Sequence, residues 1–226
     1  MGTLYLVRHG QASFGAANYD QLSPLGLQQA QRLGAHWQAH GLGFDAVYTG
    51  TLARHAQTLA GIAATLGQAL PQQQQLPALN EYDGLALVRA IHPGPLTGAT
   101  GPERFQQYFR LLCDALAQWM AGTISPEGMG SWQAFADGVH AALEQLRRRH
   151  GAGDARVLVV SSGGPISTAV ALVLGASPEA AIGLNMRLRN SAVTELSLRP
   201  KRLMLQTFNT LEHLAAPQDA GLISFA

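Results

Sequence analysis

The segment from Arg156 to Ser161 constrains the fold most, because its centre is an unbroken apolar run, Val-Leu-Val-Val. Such a run is typical of a strand that is covered on both faces in a parallel sheet. Gly163-Gly164-Pro165 follows it and begins a helical pattern. A second apolar strand, Thr3–Val7, leads directly into Arg8-His9-Gly10. Strands that end in polar residues and are followed by helices predict an α/β fold with a functional edge at the strand carboxyl ends.

The rest of the chain continues this alternation and predicts a three-layer α/β/α sandwich with a mostly parallel central sheet. We expect one domain over residues 1–226, with a helical insertion or lid at about 85–130. We predict further helices that begin at Ser23-Pro24, after an N-cap at Thr49 or Thr51, at Pro102 and at Trp132. Further strands are predicted at Asp45–Tyr48, Leu76–Leu79, Ala192–Leu198 and Leu203–Phe208. Gln72–Gln75 is assigned to a loop, and the tail from Ala215 is expected to be loosely packed.

Composition excludes several classes of partner. The 226 residues are 47% hydrophobic and 13% charged, with a formal net charge of +1, so neither a nucleic acid nor an anionic membrane is an expected partner. Cys113, the single cysteine, forms no intrachain disulfide. The sequence shows no basic-then-apolar leader and no apolar run of about 18 residues, which predicts a cytoplasmic protein without a membrane span. The exposed face of the insertion helix would suit a homodimer.

Polar side chains follow four of the predicted strands. Because the carboxyl ends of parallel strands meet at one edge, we expect these groups to lie together. Two arginines can neutralise phosphoryl oxygens, a histidine can attack phosphorus, a carboxylic acid can protonate the leaving oxygen, and the amides at a helix N-terminus bind anions. This set predicts phosphoryl transfer through a phosphohistidine. Its members are Arg8, His9, Arg54, Glu81, Asp83, Ser161, Ser162, Gly163 and Gly164.

Five motifs in the same order resemble the histidine phosphatase (phosphoglycerate mutase-like) superfamily. They are Leu6-Val7-Arg8-His9-Gly10, Leu22-Ser23-Pro24-Leu25-Gly26-Leu27-Gln28-Gln29-Ala30, Thr51-Leu52-Ala53-Arg54-His55-Ala56-Gln57-Thr58, Leu79-Asn80-Glu81, and the strand-turn-helix from Val160 to Ile166. Asn209 and His213 also fit the ending of the family's closing strand. The likeness spans nearly the whole chain.

The resemblance implies a role for each matching residue. His9 would be the nucleophile, Arg8 and Arg54 would bind the phosphate, and Glu81 would donate the proton. Asp83 remains a competitor for the acid, and Glu81 is favoured by motif register. Ser162 and Gly163 would complete the phosphate site at the helix N-terminus. This chemistry needs no cofactor and no metal, and the sequence contains no motif with metal-ligand spacing.

Two departures from the family pattern concern the site. The family has a second histidine at the position of Ser162, and a serine brings a hydrogen-bond donor without charge, so we expect weakened catalysis or an altered phosphate pocket. Many members also have Ser and Asn where this chain has Ala12 and Gly15. Candidates that could contact the substrate instead are Gln11, Ser13, Asn18 and, as a substitute imidazole on the insertion, His92. His55 is expected to pack or cap, and His36, His40, His140 and His150 to be solvated.

The leading functional prediction is hydrolysis of a phosphorylated small molecule through phospho-His9. The alternatives are a catalytically weak or inactive protein that binds a phosphate ligand, for which Ser162 argues, and a phosphoglycerate mutase. A protein phosphohistidine phosphatase is a further alternative, although the insertion would tend to hinder a protein substrate.

Overall fold

The computed structural model describes residues 2–13, 19–94 and 102–225, and these contain a mixed sheet in the order β3-β2-β4-β1-β5-β6. Strands β3, β2, β4 and β1 are parallel, whereas β5 and β6 are antiparallel to their neighbours. The strands are β1 (Gly2–Arg8), β2 (Ala46–Thr49), β3 (Gln73–Gln75), β4 (Arg156–Ser161), β5 (Val193–Leu198) and β6 (Leu203–Thr210).

Helices pack on both faces of this sheet, which confirms the three-layer α/β/α class. They are α1 (Pro24–Ala39), α2 (Ala53–Ala63), α3 (Gly84–Ile91), α4 (Pro102–Met120), α5 (Trp132–His150), α6 (Gly163–Leu174) and α7 (Pro178–Asn185). Alternate residues of β1 face opposite layers. Leu4 and Leu6 join the core against α5 and α6, and Val7 joins the core against α1 and α2. The described part of the chain has no helix long and apolar enough to span a membrane.

The strand register brings the two polar strand ends together. Val7 lies opposite Val160 and Arg8 lies opposite Ser161 in the parallel pair β1–β4. The Ser161 hydroxyl then donates to the carbonyl of Leu79 at 2.7 Å. Because Leu79 ends a 3₁₀ turn two residues before Glu81, this bond ties the third polar segment to the same edge.

The predicted insertion contains more regular structure than its sequence indicates. Helix α3 follows Asp83 directly and was not predicted, because its eight residues are bounded by an irregular Pro- and Gly-containing stretch. Helices α3, α4 and α5 share a third apolar cluster that includes Leu87, Trp119 and Trp132. Residues 95–101 lie outside the described part, and the interpretation of residues 85–130 as a lid stays a prediction.

The polar tract Gln72–Gln75 was assigned to a loop, and this was wrong, since Gln73–Gln75 forms β3. An edge strand pairs through its backbone, so its side chains need not be apolar. Gln73 additionally donates from Nε2 to the Thr49 hydroxyl at 2.7 Å. The strand predicted at Leu76–Leu79 is instead a 3₁₀ turn at Pro77–Leu79, because proline fixes its own φ and has no N–H for a ladder.

The tail predicted to be loosely packed is in fact held to the body. Its 3₁₀ segment Pro217–Leu222 buries Asp219, which pairs with Arg32 at 3.1 Å. Gln29, buried on α1, donates to the Ser224 hydroxyl at 2.9 Å. These contacts are polar and distant in sequence, so hydrophobic periodicity could not indicate them.

Candidate active site

The backbone of His9 is fixed from both sides at the carboxyl end of β1. Its amide donates to the carbonyl of Ser161 at 2.9 Å, and its carbonyl accepts from the amide of Ser191 at 3.2 Å. The side chain is buried, with 4% of its surface exposed. The residue is thus held by β4 and by the turn before β5, and its imidazole is left to the site.

The hydrogen bonds of the His9 imidazole determine which nitrogen can react. Nδ1 lies 2.7 Å from the carbonyl oxygen of Gly10, which can only accept, so Nδ1 is the protonated nitrogen. Nε2 accepts from Nε of Arg54 at 3.2 Å. Burial, with Arg54 and Arg8 adding to it, holds the pKa of His9 well below its ordinary value. His9 is therefore neutral at pH 7, with a lone pair on Nε2.

Two glycines let the loop after His9 lie against α1. A Cβ on Gly10 would be 2.3 Å from the carbonyl oxygen of Gly26, and a Cβ on Gly26 would be 2.2 Å from the carbonyl oxygen of Gln11. Neither position can therefore accept a side chain. Ser23 caps α1 as predicted, and its hydroxyl also donates to Oε1 of Gln11 at 2.8 Å.

Arg8 keeps a free donor beside His9. The guanidinium is buried and donates from Nη1 to the carbonyl of Leu188. Its Nε is buried without a hydrogen-bond partner among the residues described. Burial lowers the pKa of Arg8, and Glu81 partly offsets this. A buried donor without a partner is unusual and is what a site for an anionic ligand would present.

Arg54 is oriented by a residue that the sequence analysis missed. Asp20 accepts from Nη1 of Arg54 at 2.9 Å and from the backbone amide of Ala53 at 2.8 Å. The same carboxylate therefore caps α2 and positions the arginine, whereas neither Thr49 nor Thr51 supplies the predicted cap. Tyr19 covers the guanidinium, with its ring centroid 5.4 Å from the Arg54 Cζ. Asp20 lies in a polar loop without periodicity, and no sequence signal marks it.

Glu81 and Asp83, the two candidates for the acid, have different surroundings. Both carboxylate oxygens of Glu81 accept from the amide of Gly164, at 3.0 and 3.1 Å. Burial raises the pKa of Glu81 against the opposing effects of the Gly164 amide, Arg54 and Arg8. Asp83 instead caps α3, accepting from the amides of Leu85 and Ala86 at 2.9 and 3.0 Å. The structure thus places Glu81, and not Asp83, beside the arginines.

The N-terminus of α6 brings in a histidine that was expected only to pack or cap. Ser162 precedes the helix, but its side chain makes no capping bond. Its hydroxyl lies 2.7 Å from Nε2 of His55, and both side chains are fully buried. The His55 ring is 5.8 Å from the His9 ring. A Cβ on Gly163 would be 2.2 Å from Oδ1 of Asn185, so a side chain there would displace the Asn185 amide.

The predicted substrate contacts are more scattered. The carbonyl oxygen of the Gln11 side chain is bound to Ser23, and the Ser13 amide donates to the carbonyl of Gln21 at 2.8 Å. Asn18 lies outside the described residues. His92 ends α3, whose eight residues span about 12 Å from the Asp83 end. Roles of these four residues in substrate binding stay predictions. Of the four histidines expected to be solvated, His150 instead contacts the Tyr48 hydroxyl at 3.0 Å.

At the carboxyl edge of this mixed sheet, a buried and neutral histidine thus lies with two arginines and a carboxylic acid. The chain matches the sequence model of the histidine phosphatase superfamily (branch 1) over residues 4–211. It therefore belongs to this superfamily, which confirms the family resemblance.

Similar proteins include both phosphatases and mutases. A putative α-ribazole-5′-P phosphatase from Escherichia coli has the same fold, with a TM-score of 0.66, 24% identity, and coverage of 93% of this chain and 97% of that one. A phosphoglycerate mutase from Bacillus anthracis gives a TM-score of 0.62 at 19% identity, covering 94% of each chain. A 2,3-bisphosphoglycerate-dependent phosphoglycerate mutase from Rhizobium etli is 40% identical over 88 residues, which are 36% of this chain and 42% of the relative. The chain thus spans about two fifths of the length of the curated relatives it matches.

Proposed function

We propose that this protein hydrolyses a phosphomonoester through a phosphohistidine on Nε2 of His9. The observation that supports this most directly is the bonding of the imidazole. Nδ1 donates to Gly10 and Nε2 accepts from Arg54, so the lone pair is on the nitrogen that faces the arginine. A nucleophile held in this tautomer needs no deprotonation before it attacks.

In the first step, Nε2 attacks phosphorus, an Nε2–P bond forms and the bond from phosphorus to the leaving oxygen breaks. The proton on Glu81 passes to that oxygen, for which a carboxyl with a raised pKa is suited. Arg54 exchanges its bond to Nε2 for the non-bridging oxygens, and Arg8 offers its unpartnered Nε to them. In the second step water attacks phosphorus, Glu81 takes its proton, the Nε2–P bond breaks and inorganic phosphate leaves.

A small phosphorylated molecule is the proposed substrate class. Tyr19 lies over Arg54, and Tyr108 reaches so close to Gly84 that a Cβ there would be 2.7 Å from its hydroxyl. Tyr82 follows Glu81 directly and accepts from the Asn185 side chain at 2.6 Å. These three tyrosines flank the acid and the second arginine and would favour a compact substrate over a protein chain.

Hydrolysis of an aryl phosphate by the wild type and by His9→Ala tests the proposal. We expect turnover in the wild type only, together with an acid-labile, base-stable phosphoryl group on the rapidly quenched wild-type protein. Folded wild type without turnover, yet with inorganic phosphate bound, would contradict hydrolysis and favour the regulatory phosphate-binding alternative, for which Ser162 is the sequence argument.

The similarity to phosphoglycerate mutases supports a second candidate, the mutase reaction. The same nucleophile would then pass its phosphoryl group to a second substrate oxygen in place of water. A coupled assay with 3-phosphoglycerate and a bisphosphoglycerate primer separates the two activities. Mutase turnover that exceeds hydrolysis would replace the proposed function by this one.

A further inference from the structure

The site contains a buried imidazole that the proposed mechanism does not use. His55 has no exposed surface, and its Nε2 is 2.7 Å from the Ser162 hydroxyl. Its other nitrogen, Nδ1, is buried without a hydrogen-bond partner in the part of the chain that the structure describes. Because unsatisfied buried polar atoms are uncommon, the burial of His55 against Ser162 requires a physical explanation.

The protonation of His55 follows from its surroundings. Burial, reinforced by the neighbouring Arg54 and opposed by Asp20, lowers the pKa of His55 to about 3, so the ring is neutral at pH 7 and has one N–H. Nδ1 abuts the backbone of Gly50, where a Cβ would lie 2.4 Å from it. Orphaned N–H groups are rarer in interiors than orphaned acceptors, which places the hydrogen on Nε2. His55 then donates to Ser162 Oγ.

The Ser162 hydroxyl hydrogen is left available by this arrangement. Ser162 stands at the N-cap of α6 without bonding the helix amides, so its oxygen is used by His55 and its hydrogen can turn to another acceptor. The next residue, Gly163, would have its Cβ 3.7 Å from Nε of Arg8. The backbone of the residue after Ser162 thus lies beside the Arg8 Nε, which has no hydrogen-bond partner among the described residues.

We propose that His55 and Ser162 form a donor relay to the phosphoryl group. His55 Nε2–H donates to Ser162 Oγ, and the Ser162 hydroxyl donates to a non-bridging phosphoryl oxygen. No covalent bond changes and no proton is transferred. Ser162 is the contact residue and His55 is the positioning residue. The relay rests on the proposed phosphoryl-transfer site, and it supplies an imidazole from α2 where the family resemblance implies one at position 162.

The first test is a spectroscopic one on the unaltered protein. In long-range ¹H–¹⁵N spectra of histidine-labelled protein at pH 7, we expect His55 as the neutral Nε2–H tautomer. We also expect its Nε2 resonances to shift when inorganic phosphate is added. An Nδ1–H tautomer or an imidazolium at pH 7 would overturn the relay. This readout requires no turnover, so it separates failure of the relay from failure of the proposed function.

The second test is a double-mutant cycle in aryl phosphate hydrolysis. Ser162→Ala removes one donor to the phosphoryl group, for which we expect a loss in kcat of about a hundredfold or more. His55→Ala, which removes only the orientation, should cost about ten- to a hundredfold. The double variant should be no slower than Ser162→Ala alone, because His55 acts through Ser162. The relay would be overturned if the kcat losses of the two single variants multiplied in the double variant. It would also be overturned if His55→Ala had the kcat of the wild type.

Two further variants keep this cycle interpretable. His55→Gln retains an N–H donor at similar reach and should recover most of the kcat lost in His55→Ala. His150→Gln, which alters a partly buried histidine that contacts a hydroxyl outside the site, should keep the wild-type kcat. If the wild type lacks turnover, affinity for inorganic phosphate is measured on the same variants. Phosphate affinity unchanged in both single variants would then overturn the relay.

Discussion

Two regions of the molecule bury a histidine against a serine hydroxyl. In the His9 cluster (Arg8, His9, Arg54, Glu81 and Ser162 with its partner His55), the Nε2–Oγ distance is 2.7 Å. In the β6 corner (Ser191, Asn209 and His213), His213 makes the same contact with Ser191 at 2.8 Å. Burial lowers the pKa of each histidine to about 3. The local chemistry of the two pairs is therefore nearly identical.

Their neighbours differ. His55 lies beside Arg54 and near His9, in a cluster where the Nε of Arg8 has no partner among the described residues. The β6 corner instead holds the turn before β5, which in turn fixes the backbone of His9. Asn209 accepts from the Arg189 amide at 2.9 Å, and the Ser191 amide donates to the carbonyl of His9. We therefore expect a role in phosphate binding only for the His55–Ser162 pair, which is surrounded by groups able to bind an anion.

The largest effect is expected at His9 itself. His9→Ala removes the nucleophile and should lower kcat for aryl phosphate hydrolysis by about 10⁴-fold or more. His213→Gln should keep turnover, because the β6 corner reaches His9 only through a backbone amide. Steady-state kinetics on both variants, with circular dichroism to verify folding, checks the contrast. Equal losses of kcat would show that the two regions do not differ in function.

Within the His9 cluster, the acid should be distinguishable from its neighbour. Glu81→Gln should lower kcat by about 10²- to 10⁴-fold, whereas Asp83→Asn affects only a helix cap. Because Glu81 must be protonated to donate, wild-type turnover should fall as pH rises through its raised pKa, and this alkaline limb should be lost in Glu81→Gln. A limb that persists in Glu81→Gln and disappears in Asp83→Asn would reverse the assignment.

Substitution of Ser162 by histidine tests how tightly the His55–Ser162 pair is packed. Ser162→His alone places a second ring where His55 already contacts the serine oxygen, so overpacking should lower the free energy of unfolding by about 1–3 kcal/mol. His55→Ala/Ser162→His should regain that stability, as measured by urea unfolding. A single variant as stable as the wild type would mean that the space around His55 is looser than the structure shows.

The last prediction concerns acid stability, which should change gradually with pH and to which both pairs should contribute. Between pH 6.5 and 3, an unfolded histidine binds a proton that folded His213 does not bind, so stability falls as pH falls through this window. His213→Gln should reduce the slope of unfolding free energy against pH by about 1.4 kcal/mol per pH unit. Exposed His40→Gln is the control. The measurement is urea unfolding between pH 4 and 6.5. Equal slopes of unfolding free energy against pH in His213→Gln and the wild type would refute the prediction.

Much of the fold was predictable because hydrophobic periodicity is a local property. The strands β1 and β4, the helices α1, α4 and α5, and the pairing of the last two strands all follow from it. His9, Arg8, Arg54 and Glu81 were predicted as site residues because they follow strands or match family motifs. The polar edge strand β3 and the short helices α3 and α7 were missed, since none of them has an apolar period long enough to detect.

The sequence by itself determined the fold class and the family, because these depend on apolar pattern and on motifs along the chain. Only the tertiary structure decided that Asp20 orients Arg54 and that His55 reaches Ser162 across 107 positions. Each of these is a hydrogen bond between polar residues on separate elements. Such bonds depend on how the elements pack against one another, and no local pattern in the chain specifies that packing.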